Sequence, residues 1–280
     1  MLQTTNQLTQ IAQLGVGLGY RRPIKQEILA ARYELDFLEV ITENYLDDAR
    51  HIEELEEICA IFPVIAHGVA LSVGSMTPLN RQYLQGIKRV SDITKAPYYS
   101  EHLCMSRVPG IDLGHLTPLW FTQEVLRSVI DNVSYIQDYL GKPLILENVT
   151  YHLAIPGAEM SQEEFFNRLV AATGCGILLD VTNVYINSVN HHFDPIAFLE
   201  RLPLDHVVQV HLAGGHWQNT ILIDGHSDLI QEESWDLLKE LVARCQVKGV
   251  IIEHDKNFPS MDLLLQQINK ARRIVNKEDK

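Results

Sequence analysis

Close cysteine pairs are missing from this chain: its four cysteines, Cys59, Cys104, Cys175 and Cys245, are scattered through 280 residues with no C-x-x-C. That disfavours a thiolate zinc site and a disulfide framework alike, and predicts reduced, mostly buried thiols. Long hydrophobic runs are missing too, since no apolar stretch approaches the ~18 residues that a membrane span needs. The opening MLQTTNQLTQIAQLGVGLGY has no basic segment ahead of an apolar one, so a cytoplasmic protein without a membrane partner is expected. Positive charge is scarce, with 23 Lys and Arg against 36 Asp and Glu and a net charge of -13. Nucleic-acid binders usually carry a Lys/Arg surplus or a basic stripe, so no nucleic-acid substrate is expected. GVGLGY lacks the complete G-x-G-x-x-G pattern, which leaves a dinucleotide-binding fold without support.

What is present suits a folded protein, at 46% apolar and 21% charged residues. No repeat, low-complexity run or linker divides it, so residues 1–280 read as one domain. Short apolar runs bounded by turn signals occur at 16–20, 36–41, 62–68, 98–104, 143–149, 176–181, 206–214 and 249–255. Helix-like segments lie between them. Thr122 opens one that closes at Gly141; Ser161 opens another as Ser-x-x-Glu with Glu164, and Gly174 ends it. Eight strand-helix alternations predict an α/β fold, a (β/α)8 TIM barrel, whose strands are apolar on both faces because both are covered.

The ends of these runs carry Glu39, His67, Glu101 and His102, Glu147, Asp180, His211, and Glu253 and His254. In a barrel the C-terminal strand ends converge on one face, where active sites are built. Several carboxylates at one apolar mouth repel one another unless they are protonated or met by cations, and no Lys or Arg stands at these strand ends. Metal ions satisfy that requirement, and carboxylate plus imidazole without thiolate suits Fe, Mn or Zn. Taken singly, His67 or His211 is more often a hydrogen-bonded core residue than a ligand, whereas Glu147 after PLIL requires a compensating partner. Period-two alternation lets only one of Glu101 and His102, and one of Glu253 and His254, point inward, without choosing between them. The run TILIDGHSD adds Asp224 and His226, which taken alone read as a solvated turn, although their i, i+2 spacing would let both reach one ion. His115 and His216 fall in βα loops and are carried as substrate-facing candidates; His51, His152, His191, His192 and His206 read as ordinary histidines.

AHGVALSVGS, SEHL, LENV, GCGILLDVTNVYINSVNHHFDP, VHLAGGH and IIEHD, in that order, resemble the multinuclear non-haem iron-dependent oxidase family of the MbnB and TglH kind. The likeness runs from about Gly15 to about Leu265. It implies a xylose isomerase-like barrel and two or three iron ions in a mixed Fe(II)/Fe(III) state. His67, His102 and Glu147 would hold one ion, and Glu147 would bridge to a second held by Asp180, His211 and Glu253. Asn183, Asp224 and His226 match the positions of a third. The resemblance thereby selects His102 over Glu101 and Glu253 over His254.

It also implies O2 as co-substrate, a cysteine of a ribosomally made precursor peptide as the site of oxidation, and a small companion protein that recognises the leader. Members differ in outcome, from heterocycle and thioamide formation to excision of the cysteine β-carbon. Two departures stand out: Asp228 and Leu229 follow the Asp-x-His where relatives often have His and Pro, and LENVT replaces the frequent LENPS. Asp228 would add a carboxylate near the third ion. The rival readings are a metal-dependent sugar isomerase or phosphodiester hydrolase on the same barrel, and a non-catalytic metal-binding protein.

Overall fold

A computed structural model describes residues 7–108, 110–153 and 155–278, so the part of the amino-terminal reading that rests on residues 1–6 lies outside the described residues. The strands, in chain order, are β1 (Gly15–Gly19), β2 (Leu38–Ile41), β3 (Val64–Gly68), β4 (Tyr99–His102), β5 (Met105–Val108), β6 (Ile111–Thr117), β7 (Leu144–Glu147), β8 (Gly176–Asp180), β9 (Val207–Ala213), β10 (Gly215–Gln218), β11 (Ile221–Asp224) and β12 (Gly249–Glu253). Eight of them, β1, β2, β3, β4, β7, β8, β9 and β12, pair in parallel in that order, and β12 closes the barrel onto β1. These are the eight runs expected from the sequence.

The helices are α1 (Lys25–Ala30), α2 (Ala49–Cys59), α3 (Arg81–Thr94), α4 (Gln123–Leu140), α5 (Gln162–Thr173), α6 (Val181–His191), α7 (Pro195–Arg201), α8 (Glu232–Arg244) and α9 (Met261–Val275). Their ends follow the predicted signals. Thr122 and Ser161 accept hydrogen bonds from the amides of Val125 and Glu164, and Gly141 and Gly174 leave the helices at φ 71° and 67°.

Two elements were not expected. The loop after β4 folds into the antiparallel hairpin β5–β6, and the loop after β9 into β10–β11. β6 is exposed over most of its length, so it lacks the apolar run by which a barrel strand is recognised.

Side chains at i and i+2 share a face of a strand, and this periodicity sorts the interior into layers. Phe37, Ile65, Tyr98, Ile145, Leu178 and Ile251 form a cluster with Leu8 and Ile11, separate from the main core. Each stands two residues before Glu39, His67, Ser100, Glu147, Asp180 or Glu253. Residues of the opposite parity, such as Leu38, Ala66, Leu146, Leu179, Val210 and Ile252, belong to the larger core against the helices. The barrel therefore has an apolar floor and, directly above it, a layer of ionisable groups at the C-terminal mouth.

Candidate metal centre

Alternation settles the two ambiguous pairs. His102 points inward, its Nε2 3.4 Å from Oε2 of Glu147, while Glu101 lies on the outward face beside Tyr99. Any Cβ at Gly68 would collide with the Glu101 carboxyl and the Tyr99 hydroxyl, which explains the glycine after His67. Burial, reinforced by the Glu43 carboxylate, pushes Glu101 well above the usual carboxylate range. Glu253 points inward as well, its Oε2 3.2 Å from Nδ1 of His211, whereas His254 turns to Gln267 of α9 at 3.5 Å.

Glu147 is the centre of the arrangement. Its Oε2 lies 3.2 Å from Nε2 of His67, and its Oε1 lies 3.4 Å from Nδ1 of His211. The far nitrogens of the first two rings are held by the barrel wall, His67 Nδ1 at 3.0 Å from the Ser100 hydroxyl and His102 Nδ1 at 3.0 Å from the carbonyl of Gly68.

Strand register explains how residues far apart in sequence meet: His102 pairs with Glu147 across β4 and β7, and Asp180 with His211 across β8 and β9. Asp180 also caps α6, its Oδ1 accepting the Asn183 amide at 2.7 Å. The cap restrains the carboxylate and turns Asn183 towards the mouth, where its Nδ2 donates to the carbonyl of Asn148 at 3.0 Å.

Asp224, at the end of β11, and His226, in the following turn at φ 48°, complete the rim. His226 Nε2 is 2.8 Å from Asp224 Oδ1, and its Nδ1 is 3.2 Å from Asp255 and 3.7 Å from Glu253.

Among the described residues four overlapping trios have ligand atoms within 4.8 Å of one another: His67, His102 and Glu147; Glu147, Asp180 and His211; Asp180, His226 and Glu253; and Glu39, His211 and Glu253. Glu147 Oε2, Asp180 Oδ2, Asn183 Oδ1, His211 Nδ1 and Asp224 Oδ1 are buried without a well-aligned hydrogen bond. Buried polar atoms are normally paired, so a set of unpaired oxygen and imidazole donors at one mouth fits a bound cation.

The protonation pattern leads to the same conclusion. Burial opposes charge on His211, yet the carboxylates of Glu253, Glu39 and Glu147 outweigh it and hold the imidazole well above its ordinary range. His226 is raised in the same way by Asp224 and Glu253. Burial, with Glu147 and Asp224 nearby, drives Asp180 well above the carboxylate range. Burial also opposes charge on Glu147, but His102 and His211 prevail and keep it well below that range. Raised imidazoles and a raised carboxyl beside a lowered one mark a layer whose carboxylates require positive charge among them, which a bound cation would supply.

The expectation that no Lys or Arg serves these strand ends is corrected here. Arg21, two residues beyond β1, lays its guanidinium 2.7 Å from Asp255 and 3.6 Å from Glu253. It was overlooked because it follows Gly19 and Tyr20 rather than ending an apolar run.

His115 and His216 are not brought into the cluster. His115 lies exposed on β6, and His216, on β10, is 3.6 Å from Asp228 Oδ2. Asp228 also accepts from Ser227 at 2.8 Å and is half exposed, so it faces His216 rather than the buried layer.

Sequence reasoning noted Glu39 only as a strand end and missed Gln209 and Tyr98 altogether. All three are buried immediately below His211: its Nε2 is 2.8 Å from Glu39 Oε1, Gln209 donates to Glu39 Oε2 at 2.5 Å, and the Tyr98 hydroxyl donates to Gln209. The i, i+2 spacing of Gln209 and His211 was the available signal.

Comparison with known proteins follows the same lines. The family described as RiPP precursor modification enzyme MbnB/TglH/ChrH matches residues 15–276. A UPF0276 protein of Acaryochloris marina is 35% identical over 257 residues, 92% of this chain and 93% of that protein. One from Rhizorhabdus wittichii is 36% identical over 263 residues, 93% of this chain and 94% of that protein. Among solved structures, a D-tagatose 3-epimerase-like protein aligns with TM-score 0.63 at 18% identity, over 95% of this chain and all of that one (100%). An L-ribulose 3-epimerase aligns with TM-score 0.62 at 13% identity, over 96% and 97% of the two chains. At such identities the likeness is one of fold, the xylose isomerase-like TIM barrel.

Proposed function

The chain belongs to the MbnB/TglH/ChrH family of RiPP precursor modification enzymes, and from that premise we propose that it is an O2-dependent oxidase that uses two or three iron ions to modify a cysteine of a ribosomally synthesised precursor peptide. The observation that carries this reading is the shared position of Glu147 between two ligand trios, one with His67 and His102 and one with Asp180 and His211. A carboxylate only 2% exposed is costly by several kcal/mol unless compensated, and Glu147 would be compensated at both oxygens if each trio held a cation.

His67, His102 and Glu147 would hold the first ion; Glu147, Asp180, His211 and Glu253 the second; Asn183, Asp224 and His226 the third. Bound iron would supply the activation of O2 and the one-electron steps that protein side chains cannot perform. The chain's own groups do the rest. The apolar cluster of Phe37, Ile65, Ile145, Leu178 and Ile251 would shield the ionisable layer from water on the side away from the mouth. Asp180 is held by its capping bond, and Arg21 offsets the charge of Glu253 and Asp255 at the rim.

The hairpins β5–β6 and β10–β11 expose Ile111 and Leu113 on β6 and Trp217 on β10, apolar groups suited to contact with an extended peptide. His115 and His216 stand on these hairpins and are assigned to peptide contact. A small leader-recognition protein completes the proposed assembly. Among the described residues no helix is long and apolar enough to cross a membrane.

The test is anaerobic loading with Fe(II), metal analysis, and O2 uptake on adding a cysteine-containing peptide encoded beside the gene, with the product weighed by mass spectrometry. Two or three irons per chain with peptide-dependent O2 uptake support the reading. Zinc alone after reconstitution, with no peptide-dependent uptake, would sink it.

A further inference from the structure

The interior of a TIM barrel is normally packed with branched apolar side chains, yet here a polar column descends beneath one imidazole. Gln209 is aligned with Leu178, one layer below the Asp180–His211 pair. Glu39, on β2, is aligned with Ile65 of β3, two residues before His67. Tyr98, Glu39, Gln209 and His211 are all buried to 3% exposure or less.

Their hydrogen bonds run in one direction. The Tyr98 hydroxyl donates to Oε1 of Gln209, and the Gln209 amide then donates to Oε2 of Glu39. The remaining oxygen, Oε1, lies 2.8 Å from Nε2 of His211. A carboxylate with both oxygens engaged in this way accepts, so Nε2 carries the hydrogen. The Gln209 nitrogen is also 3.0 Å from Nε2. Both are then donors, and each takes its own oxygen of the same carboxylate.

The consequence falls on the other side of the ring. With the hydrogen on Nε2, the lone pair of the neutral imidazole sits on Nδ1, the atom that faces Glu147 at 3.4 Å and Glu253 at 3.2 Å. We infer that Glu39 is a positioning residue for the metal centre: by accepting from Nε2 it selects the tautomer and ring orientation that present Nδ1 of His211 as a ligand, and Gln209 and Tyr98 hold Glu39 in place. This rests on the proposed reading only in taking His211 as a metal ligand. It adds a role for Gln209 and Tyr98, which no ligand trio includes, and gives Glu39, which shares a trio with His211 and Glu253, a place behind the ring rather than on the ion.

The experiment uses the metal-free full-length protein titrated anaerobically with Co(II) alone, following the visible ligand-field bands. Wild type, Glu39→Gln and Tyr98→Phe are compared. Loss of an outer carboxylate partner of a ligating histidine typically weakens metal binding ~10–100-fold, and that loss is expected for Glu39→Gln, with shifted bands and unchanged stoichiometry at saturation.

Tyr98→Phe keeps the carboxylate and is expected to weaken binding several-fold; it decides the question if Glu39→Gln does not accumulate as folded protein. Wild-type affinity and bands in Glu39→Gln, or in Tyr98→Phe where that is the variant obtained, overturn the inference. So does loss of one whole equivalent of Co(II) from Glu39→Gln with the rest bound normally, since Glu39 would then be a ligand itself.

The two readings can fail separately. A Co(II) response as expected in a protein that modifies no peptide with iron and O2 removes the oxidase and leaves this inference standing. Peptide modification by a protein whose Glu39→Gln variant binds Co(II) normally removes the inference alone.

Discussion

Glu147 and His211 face each other across the strand between them, Glu147 on β7 and His211 on β9, with Oε1 and Nδ1 3.4 Å apart over the end of β8. The other oxygen of Glu147 is turned to His67 and His102 at 3.2 and 3.4 Å. One carboxylate therefore joins two halves of the barrel mouth.

Glu147→Gln is expected to remove that link. Metal affinity should fall more than the ~10–100-fold typical of outer partners if Glu147 is, as proposed, a ligand common to two ions. Iron per chain after gel filtration is the measurement, and wild-type loading in the variant would refute the shared position.

His226→Ala should behave differently. Its trio with Asp180 and Glu253 lies at the rim, and the trios built on Glu147 do not include it. The expected outcome is one metal fewer per chain with the remaining ions kept, read by elemental analysis. Loss of all metal would mean that the three sites do not separate as drawn.

Glu54 ties the end of β1 to α2 by accepting from the Tyr20 hydroxyl at 2.8 Å and from Arg22 at 2.6 Å. Burial raises its carboxyl, but the bonds from Arg22 and Tyr20 and the charge of Lys25 outweigh this and leave it below the ordinary range. A carboxylate lowered in the folded state adds stability above its unfolded value, and that stability is lost as pH falls through the folded one. Glu54→Gln is therefore expected to cost about 1–2 kcal/mol at pH 7. The difference from wild type should shrink as the pH is taken from about 4.5 downward. Denaturant midpoints at the two ends of that range check it, and a pH-independent difference would contradict it.

The protein's own thiols should be inert beside a peptide thiol. Burial pushes Cys59, Cys175 and Cys245 up to about 11, and Cys104 well above the usual thiol range. A rise of two units cuts the thiolate fraction about 100-fold near neutral pH, and the thiolate is the reactive form. Iodoacetamide at pH 7.5 should label a cysteine peptide within minutes and the native protein barely at all, by intact mass. Rapid labelling of the native chain would show those environments to be wrong.

The eight barrel strands were legible because each is a short apolar run closed by a turn signal, and a parallel strand covered on both faces leaves just that trace. The hairpins were not, since β6 is mostly exposed and β10–β11 is read more easily as a loop with a strand end. The polar strand ends were legible one by one. Their grouping depended on barrel closure, and the choice of His102 over Glu101 rested on a resemblance until the facing of β4 decided it.

By itself the sequence determined the alternation of strand and helix, the scatter of its cysteines without a C-x-x-C pair and the set of carboxylates and imidazoles at the strand ends. All of these are properties of local pattern and residue type. Only the tertiary structure decided that Glu39, 172 residues before His211, lies directly beneath it, and that Arg21 reaches Asp255 across the closure of the barrel. Register and strand tilt set those meetings, and neither leaves a mark on any single segment.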